Sequence, residues 1–273
     1  MRKSISFLAA AGTVAAVGFM TPASAAEGDA QLSVLHGVPD TVVDVYVNGA
    51  LTLDDFAPGT LAGPLPLPAG TYELAITAPD AADASAPIIG PVSVDLAAGM
   101  NYTATANLDA SGQPTANVFT NDTSMIDAGK SRLTVRHVAA APAVDVLANG
   151  SPVISGLENP KEEVLTVDPG TISASVAAAG TTEPVIGPAD LNLPEGTNTI
   201  VYAWGSLEDG NLALATQSVT GMHSSPSAVP GALEAGDTGA GGAVAATAAA
   251  SLLAVGGALA LFRRSRAAET AGR

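Results

Sequence analysis

Two pairs of residues in this chain have the types for shared chemistry. His36 precedes Asp44, and His137 precedes Asp145 at the same spacing. A histidine beside a carboxylate can move protons, or it can begin a metal site in which the acid orients the imidazole. A metal centre needs three or four converging ligands, and only two recur in each copy. Strand alternation weakens a shared site further. "LSVLH" puts His36 on the face of Leu32 and Val34, towards a core, while Asp44 alternates with Val43 and Val45 and points the other way. The structural alternative is a half-buried histidine at a strand end, hydrogen-bonded to the loop that follows.

Other signatures are missing from the sequence. It has no Gly-x-Ser-x-Gly elbow, no His-Glu-x-x-His, no phosphate loop and no EF-hand loop. With no cysteines, disulfides, thiolate zinc sites and cysteine nucleophiles are excluded. Asp109 and Glu208-Asp209 fall at aligned turns, where acids are ordinary turn formers. No carboxylate pair stands out for glycoside hydrolysis. Asn101-Tyr102-Thr103 and Asn121-Asp122-Thr123 fit the glycosylation triplet. The expectation is a chain without catalytic residues, cofactor or metal.

The elements that position these residues come in duplicate. "LSVLHGVPDTVVDVYVNG" (32–49) aligns without a gap on "LTVRHVAAAPAVDVLANG" (133–150). The match continues through "PAGTYELAITA" and "DPGTISASVAA", then "PIIGPVSVDLAAGMNYTATA" and "PVIGPADLNLPEGTNTIVYA". Two homologous units follow, 31–121 and 132–221. Each reads as all-β, with Val, Ile, Thr and Tyr runs cut by Gly, Pro and Asn. Asn48-Gly49 and Asn149-Gly150 suit two-residue hairpin turns. Val43, Val45 and Val47 face a core, with Asp44 and Tyr46 on the other face. Units of this length with about seven short strands point to tandem immunoglobulin-like β-sandwiches, without the Cys and Trp hallmarks of true immunoglobulin domains.

The ends carry an address and an anchor. Arg2-Lys3, the apolar run "ISFLAAAGTVAAVGFM" and Ala23-Ser24-Ala25 form a secretory signal peptide, 1–25. Residues 243–262 are uncharged and apolar, about the ~20 residues a membrane helix needs. "RRSR" follows, so the basic tail, 263–273, is expected inside the cell and the body outside. The Pro-, Gly-, Ser- and Ala-rich stretch 222–242 is a spacer. Within it, Thr238-Gly239 before an apolar span and a basic tail resembles a Gram-positive sorting signal, at which sortase would join Thr238 to the envelope. Ala235-Gly236-Asp237 departs from the usual Leu-Pro-x. Both sortase attachment and simple membrane retention are therefore open.

Net charge is -16, and every Asp and Glu except Glu269 lies between the basic ends. Such a surface repels nucleic acid and anionic lipid. Aromatics are 4% of residues, so a core of small and β-branched side chains is expected.

His36-Gly37-Val38-Pro39 leading into Val43 to Gly49, with Pro68 to Tyr72 and Ile89-Gly90-Pro91, resembles the bacterial "domain of unknown function 4397" family. The second unit, with His137, Ala143 to Val146 and Ile186-Gly187-Pro188, resembles its actinobacterial members. The resemblance implies secreted or surface β-sandwich proteins with a C-terminal anchor near a sortase, and no particular activity. The functional expectation is a non-enzymatic surface protein, anchored to membrane or wall, with an adhesive or envelope-structural role and a glycan or protein as ligand. A carbohydrate-binding module is the alternative, using Tyr46, Tyr72, Tyr102, Tyr202 or Trp204 as platforms. A hydrolase is the third.

Overall fold

β-branched side chains pack well on a pleated surface, and the Gly, Pro and Asn between them supply the turns. The computed structural model describes residues 28–223, which contain sixteen strands and no helix. In the first copy they are β1 (Ala30–Gly37), β2 (Val43–Val47), β3 (Ala50–Phe56), β4 (Leu61–Leu67), β5 (Gly70–Thr77), β6 (Ile89–Leu96), β7 (Asn101–Leu108) and β8 (Pro114–Thr120). In the second they are β9 (Ser131–Ala140), β10 (Val144–Ala148), β11 (Ser151–Leu157), β12 (Glu162–Val167), β13 (Gly170–Ala178), β14 (Pro184–Leu193), β15 (Asn198–Ser206) and β16 (Ala213–Val219).

Each copy builds two four-stranded sheets, β4-β1-β7-β8 with β3-β2-β5-β6, then β12-β9-β15-β16 with β11-β10-β13-β14. β1 runs parallel to β7, and β9 to β15. Each copy thus has eight strands where the sequence suggested about seven. β4 carries Pro64 and Pro66, which weaken a strand pattern. It lies at a sheet edge, where a missing N–H is tolerated. Between the paired sheets of each copy sits its core, which in the first copy includes a second cluster of Val43, Val45, Ile76, Ile89 and Ala106. Leu32, Val34, Leu74, Val94, Leu96 and Ala104 fill the first. Leu133, Val135, Val144, Val146, Val176 and Leu193 fill the second.

The repeated phrases are local solutions used twice. Asn48-Gly49 and Asn149-Gly150 all take positive φ, as a tight hairpin with right-handed twist requires. The asparagine also braces the next strand: Asn48 Oδ1 accepts from Glu73 N–H at 2.9 Å, and Asn149 Oδ1 from Ser173 N–H at 3.0 Å. Ile-Gly-Pro marks a bulge. Register slips between Leu74 and Ile76, and again between Ala174 and Val176, opposite Gly90 and Gly187. Both glycines have positive φ, and a Cβ would come within 2.6 Å of Leu74 O or 2.8 Å of Ala174 O.

The alternation of exposed and buried positions fails in four strands. β1, β7, β9 and β15 are buried almost throughout, on both faces. Their inner faces close the two cores. Their outer faces meet each other, with Leu35 and Phe119 of the first copy packed with Val138, Ile200 and Tyr202 of the second. Both copies fall in one compact unit reaching to Ser227.

Among the described residues no helix is long and apolar enough to cross a membrane. The signal peptide, the span 243–262, the basic tail and Thr238-Gly239 lie outside those residues, as does the spacer beyond His223.

Gly90→Ala is expected to cost about 2 kcal/mol or more, since it adds strain at positive φ and a clash with backbone. Gly99→Ala has positive φ but open space, and about 1 kcal/mol is expected. Thermal denaturation of the two variants measures the difference.

Candidate functional site

The repeated histidines lie near the ends of β1 and β9 on the inward face. His36 is fully buried, and its Nε2 lies 2.7 Å from Thr41 O. His137 is equally buried, with Nε2 3.0 Å from Pro142 O. A carbonyl only accepts, so Nε2 carries the proton in both rings. Burial lowers both imidazole pKa values and the loop carbonyls only partly offset it, so both rings are held neutral.

The repeated aspartates lie on the face that alternation assigns them. Asp44 lies on the outer face of β2, yet it is 1% exposed, and Asp145 is 7% exposed. Parity assigned the face correctly, but that face is not open to solvent. The β5–β6 connection folds over it, and Tyr46, also buried, donates its hydroxyl to Ala81 O at 2.9 Å. Asp44 Oδ1 accepts from Asp55 N–H at 3.0 Å, and Asp145 Oδ1 from Gly156 N–H at 2.8 Å. Asp55 and Gly156 both have positive φ, and register slips in β2–β3 and β10–β11. The aspartate therefore secures an irregular backbone turn in the neighbouring strand. In the second copy Oδ2 also accepts from Gly180 N–H at 2.8 Å, tying down the β13–β14 connection. Each histidine and each aspartate thus bonds to backbone of its own neighbourhood, and the structure does not bring His36 and Asp44 together as a proton-transfer pair.

One cluster escaped the sequence pattern. The carboxylates of Asp44, Asp54 and Asp55 lie within 4.8 Å of one another. The Asp54 carboxyl is pushed up, first by desolvation and then by Asp44, Asp55 and Asp80. The second copy has Ser155 and Gly156 at the corresponding places, so the repeat does not mark this cluster.

The larger polar constellation lies where the two copies meet. Arg136 of β9 is 1% exposed. Its Nε donates to Glu162 Oε2 at 2.7 Å and one terminal nitrogen to Tyr202 Oη at 2.8 Å. Its guanidinium also lies 4.4 Å from the centre of the Phe119 ring, which belongs to the first copy. Tyr202 in turn donates to Gln217 Oε1 at 2.6 Å. Gln217 crosses to the first copy: Thr103 Oγ1 donates to its Oε1 at 2.9 Å, and its Nε2 donates to Ser33 Oγ at 3.2 Å. Burial raises the Tyr202 phenol above the ordinary tyrosine range, outweighing the lowering by Arg136. Asn159 adds a clasp, donating to Leu108 O at 2.9 Å and Ala139 O at 2.6 Å. Trp204 of β15 packs against Gly37 and Gly59, and a Cβ on Gly59 would reach its ring at 2.7 Å. Asn121 is buried beside this joint and donates to Thr103 Oγ1 at 3.0 Å, so its triplet is not a surface acceptor.

The sequence profile of the domain of unknown function DUF4397 matches twice, over residues 30–147 and 138–229. The chain belongs to the DUF4397 family. The two matches share residues 138–147, the end of β9 and the start of β10, so the first reaches into the second copy. No curated protein matches this DUF4397 chain. Among solved structures, the Bacillus anthracis TIE protein matches at 12% identity over 72% of this chain. Only 32% of that protein is covered and the TM-score is 0.18.

Two outcomes follow from the buried groups. Since His36 and His137 have lowered pKa values, the unfolded chain takes up more protons below about pH 6.5. Stability should fall as pH drops through that range. His137→Gln should be less stable at pH 7 but show a flatter decline between pH 7 and 5. At the joint, Tyr202→Phe leaves Arg136 and Gln217 short of a partner and should cost about 1–3 kcal/mol. Urea titration followed by the fluorescence of Trp204, the single tryptophan, reads both.

Proposed function

We propose that this DUF4397 chain is a non-catalytic surface protein whose two immunoglobulin-like sandwiches act as one stiff body in adhesion or envelope structure. It is secreted through residues 1–25 and held at the envelope by 243–262. The spacer 222–242 carries the body away from the membrane, and in the wall-attached form cleavage at Thr238-Gly239 by sortase replaces the span 243–262 as the anchor. The cell type is Gram-positive, of the actinobacterial kind.

The observation that supports this reading best is the joint. Two loosely tethered domains would need no buried arginine, and no hydrogen bonds between β16 and the strands β7 and β1. A packed, hydrogen-bonded contact makes the copies move together, which suits a protein that must hold a ligand or a spacing against drag. The disposition of the aromatic residues also favours it over the carbohydrate-binding alternative. Tyr46, Tyr102 and Tyr202 are buried, Tyr72 is half-buried against the first core with its hydroxyl on Pro68 O, and Trp204 is wedged against the first copy. Those rings do not offer the open stacking platform a sugar needs.

Thr238→Ala tests the attachment: the protein should move from the wall fraction to the membrane fraction. An unchanged distribution refutes sortase processing. Cells lacking the protein should lose adhesion or envelope integrity, and the chain with Tyr202→Phe should restore it less well than the parent. Turnover of a substrate by the purified protein, abolished by a single substitution, would overturn the non-catalytic reading.

A further inference from the structure

The edge of a sheet can accept a further strand, and folded proteins blunt their edges with proline, charge or a register slip. The described residues contain eight edge strands, and seven are blunted. Prolines interrupt β4, β6, β11 and β14 and open β8, while acidic residues lie on β3 and β12. β16 is the exception. "ALATQSV" has no proline and no charge, and its pairing with β15 runs from Ala213 to Val219 without a slip.

The neighbouring strand shows which peptide groups of β16 point outwards. Thr197 C=O accepts from Arg132 N–H at 3.0 Å and so turns to β9, while Gly196 C=O accepts from Met222 N–H at 3.3 Å on the β16 side. Peptide groups alternate in direction along a strand. Those of Ile200 and Tyr202 therefore meet Gln217 and Ala215, and those of Leu214, Thr216 and Ser218 point out of the sheet edge. Among the described residues β16 pairs with no strand but β15, and no turn or loop backbone bonds to it. An open groove of about 290 Å³ lies along this edge, between Gln217 to Thr220 on one side and Ser33, Pro64 and Asn101 of the first copy on the other. None of the lining residues is charged. The groove continues the joint between the copies, since Gln217 donates to Ser33 there. Gln217 also bonds to Thr103, so β16 lies over β1 and β7, and β4, next to β1, extends past it as a shelf.

The shelf decides what can lie there. A single extended strand fits above it, whereas a second copy of the chain paired edge to edge would drive its own β4 into it. The chain's own residues 224–242 carry Pro226, Pro230 and repeated glycine, a poor composition for a strand. We propose that β16 is a docking edge for an extended, non-acidic peptide segment of a partner protein, which adds as a fifth strand to the sheet β12-β9-β15-β16 and lies in the groove over β4. Main-chain bonds to Leu214, Thr216 and Ser218 give the affinity, and the hydroxyls and amides of the groove select small polar side chains such as threonine. An acidic segment is repelled by a chain of net charge -16. The assignment stands whether the chain is held by sortase or by a membrane helix.

The probe is the peptide Lys-Thr-Val-Thr-Val-Thr-Lys, acetylated and amidated, titrated against the full chain in lipid nanodiscs and followed by hydrogen exchange resolved to single amides. Binding should slow exchange at Leu214, Thr216 and Ser218 and leave Ala215 and Gln217, already bonded to β15, unchanged. The same peptide N-methylated at two adjacent central residues keeps its charge but loses donors facing either way, and should bind about ten-fold more weakly. The version flanked by Glu in place of Lys should not bind. Thr216→Pro removes an outward N–H that β15 does not use, a change an edge strand tolerates, and should also weaken binding about ten-fold. The proposal is overturned by no slowing at the three amides, by equal binding of the N-methylated or Glu-flanked peptide, or by undiminished binding to a folded Thr216→Pro chain. Slow exchange at all three amides before any peptide is added also overturns it, since another segment then holds the edge.

Discussion

Arg136 holds a positive charge where water cannot reach it, and the arrangement of the body follows from that constraint. Leaving such a charge without partners costs several kcal/mol, so its neighbours are not free to vary independently. Glu162 balances it, Tyr202 accepts from it, and Phe119 offers its ring face. Tyr202 then orients Gln217, and Gln217 engages Thr103 and Ser33 of the other copy. The charge of the second copy is thus satisfied through a chain of groups that ends in the first. Separation of the copies would expose Leu35, Phe119, Val138 and Ile200 and break that chain together. Hydrophobic area gives the contact its strength, while the hydrogen bonds give it one geometry.

Duplication explains the repeated phrase, and divergence shows what each copy has since become. The Asn-Gly hairpin, the Ile-Gly-Pro bulge, the histidine on the loop carbonyl and the aspartate on the neighbouring backbone occur in both copies. These are requirements of the backbone, met by the same residues twice. The differences fall at the periphery. Asp54 and Asp55 join Asp44 only in the first copy, and Asp145 gains its second backbone bond only in the second. His36 stacks on Phe56, whereas His137 Nδ1 accepts from Ala139 N–H.

Much of this was legible in the sequence, and the failures have a common cause. Strand type, hairpins, duplication and the inward face of His36 all come from local rules of alternation and turn chemistry. Alternation assigns the outer faces but does not say what covers them. β7, "NYTATANL", and β15, "NTIVYAWGS", contain no charged residue on either face. That absence is the signal that both faces are covered, and it is readable in retrospect. The burial of Asp44 under the β5–β6 connection left no comparable trace, because its cover comes from a loop whose path depends on the finished fold. The Arg136 network was also invisible, since its members are scattered over β1, β7, β8, β9, β12, β15 and β16 and meet only after the sheets pack.

The central claim is that two homologous units form one rigid body through a buried, hydrogen-bonded joint. The absence of cysteines makes it directly measurable, because two introduced cysteines are the only thiols. Ala50→Cys and Ser151→Cys place spin labels on the equivalent exposed hairpins of the two copies. Pulsed electron paramagnetic resonance should then give one narrow distance distribution, unchanged by salt. A broad distribution, as for two domains on a tether, would contradict the account.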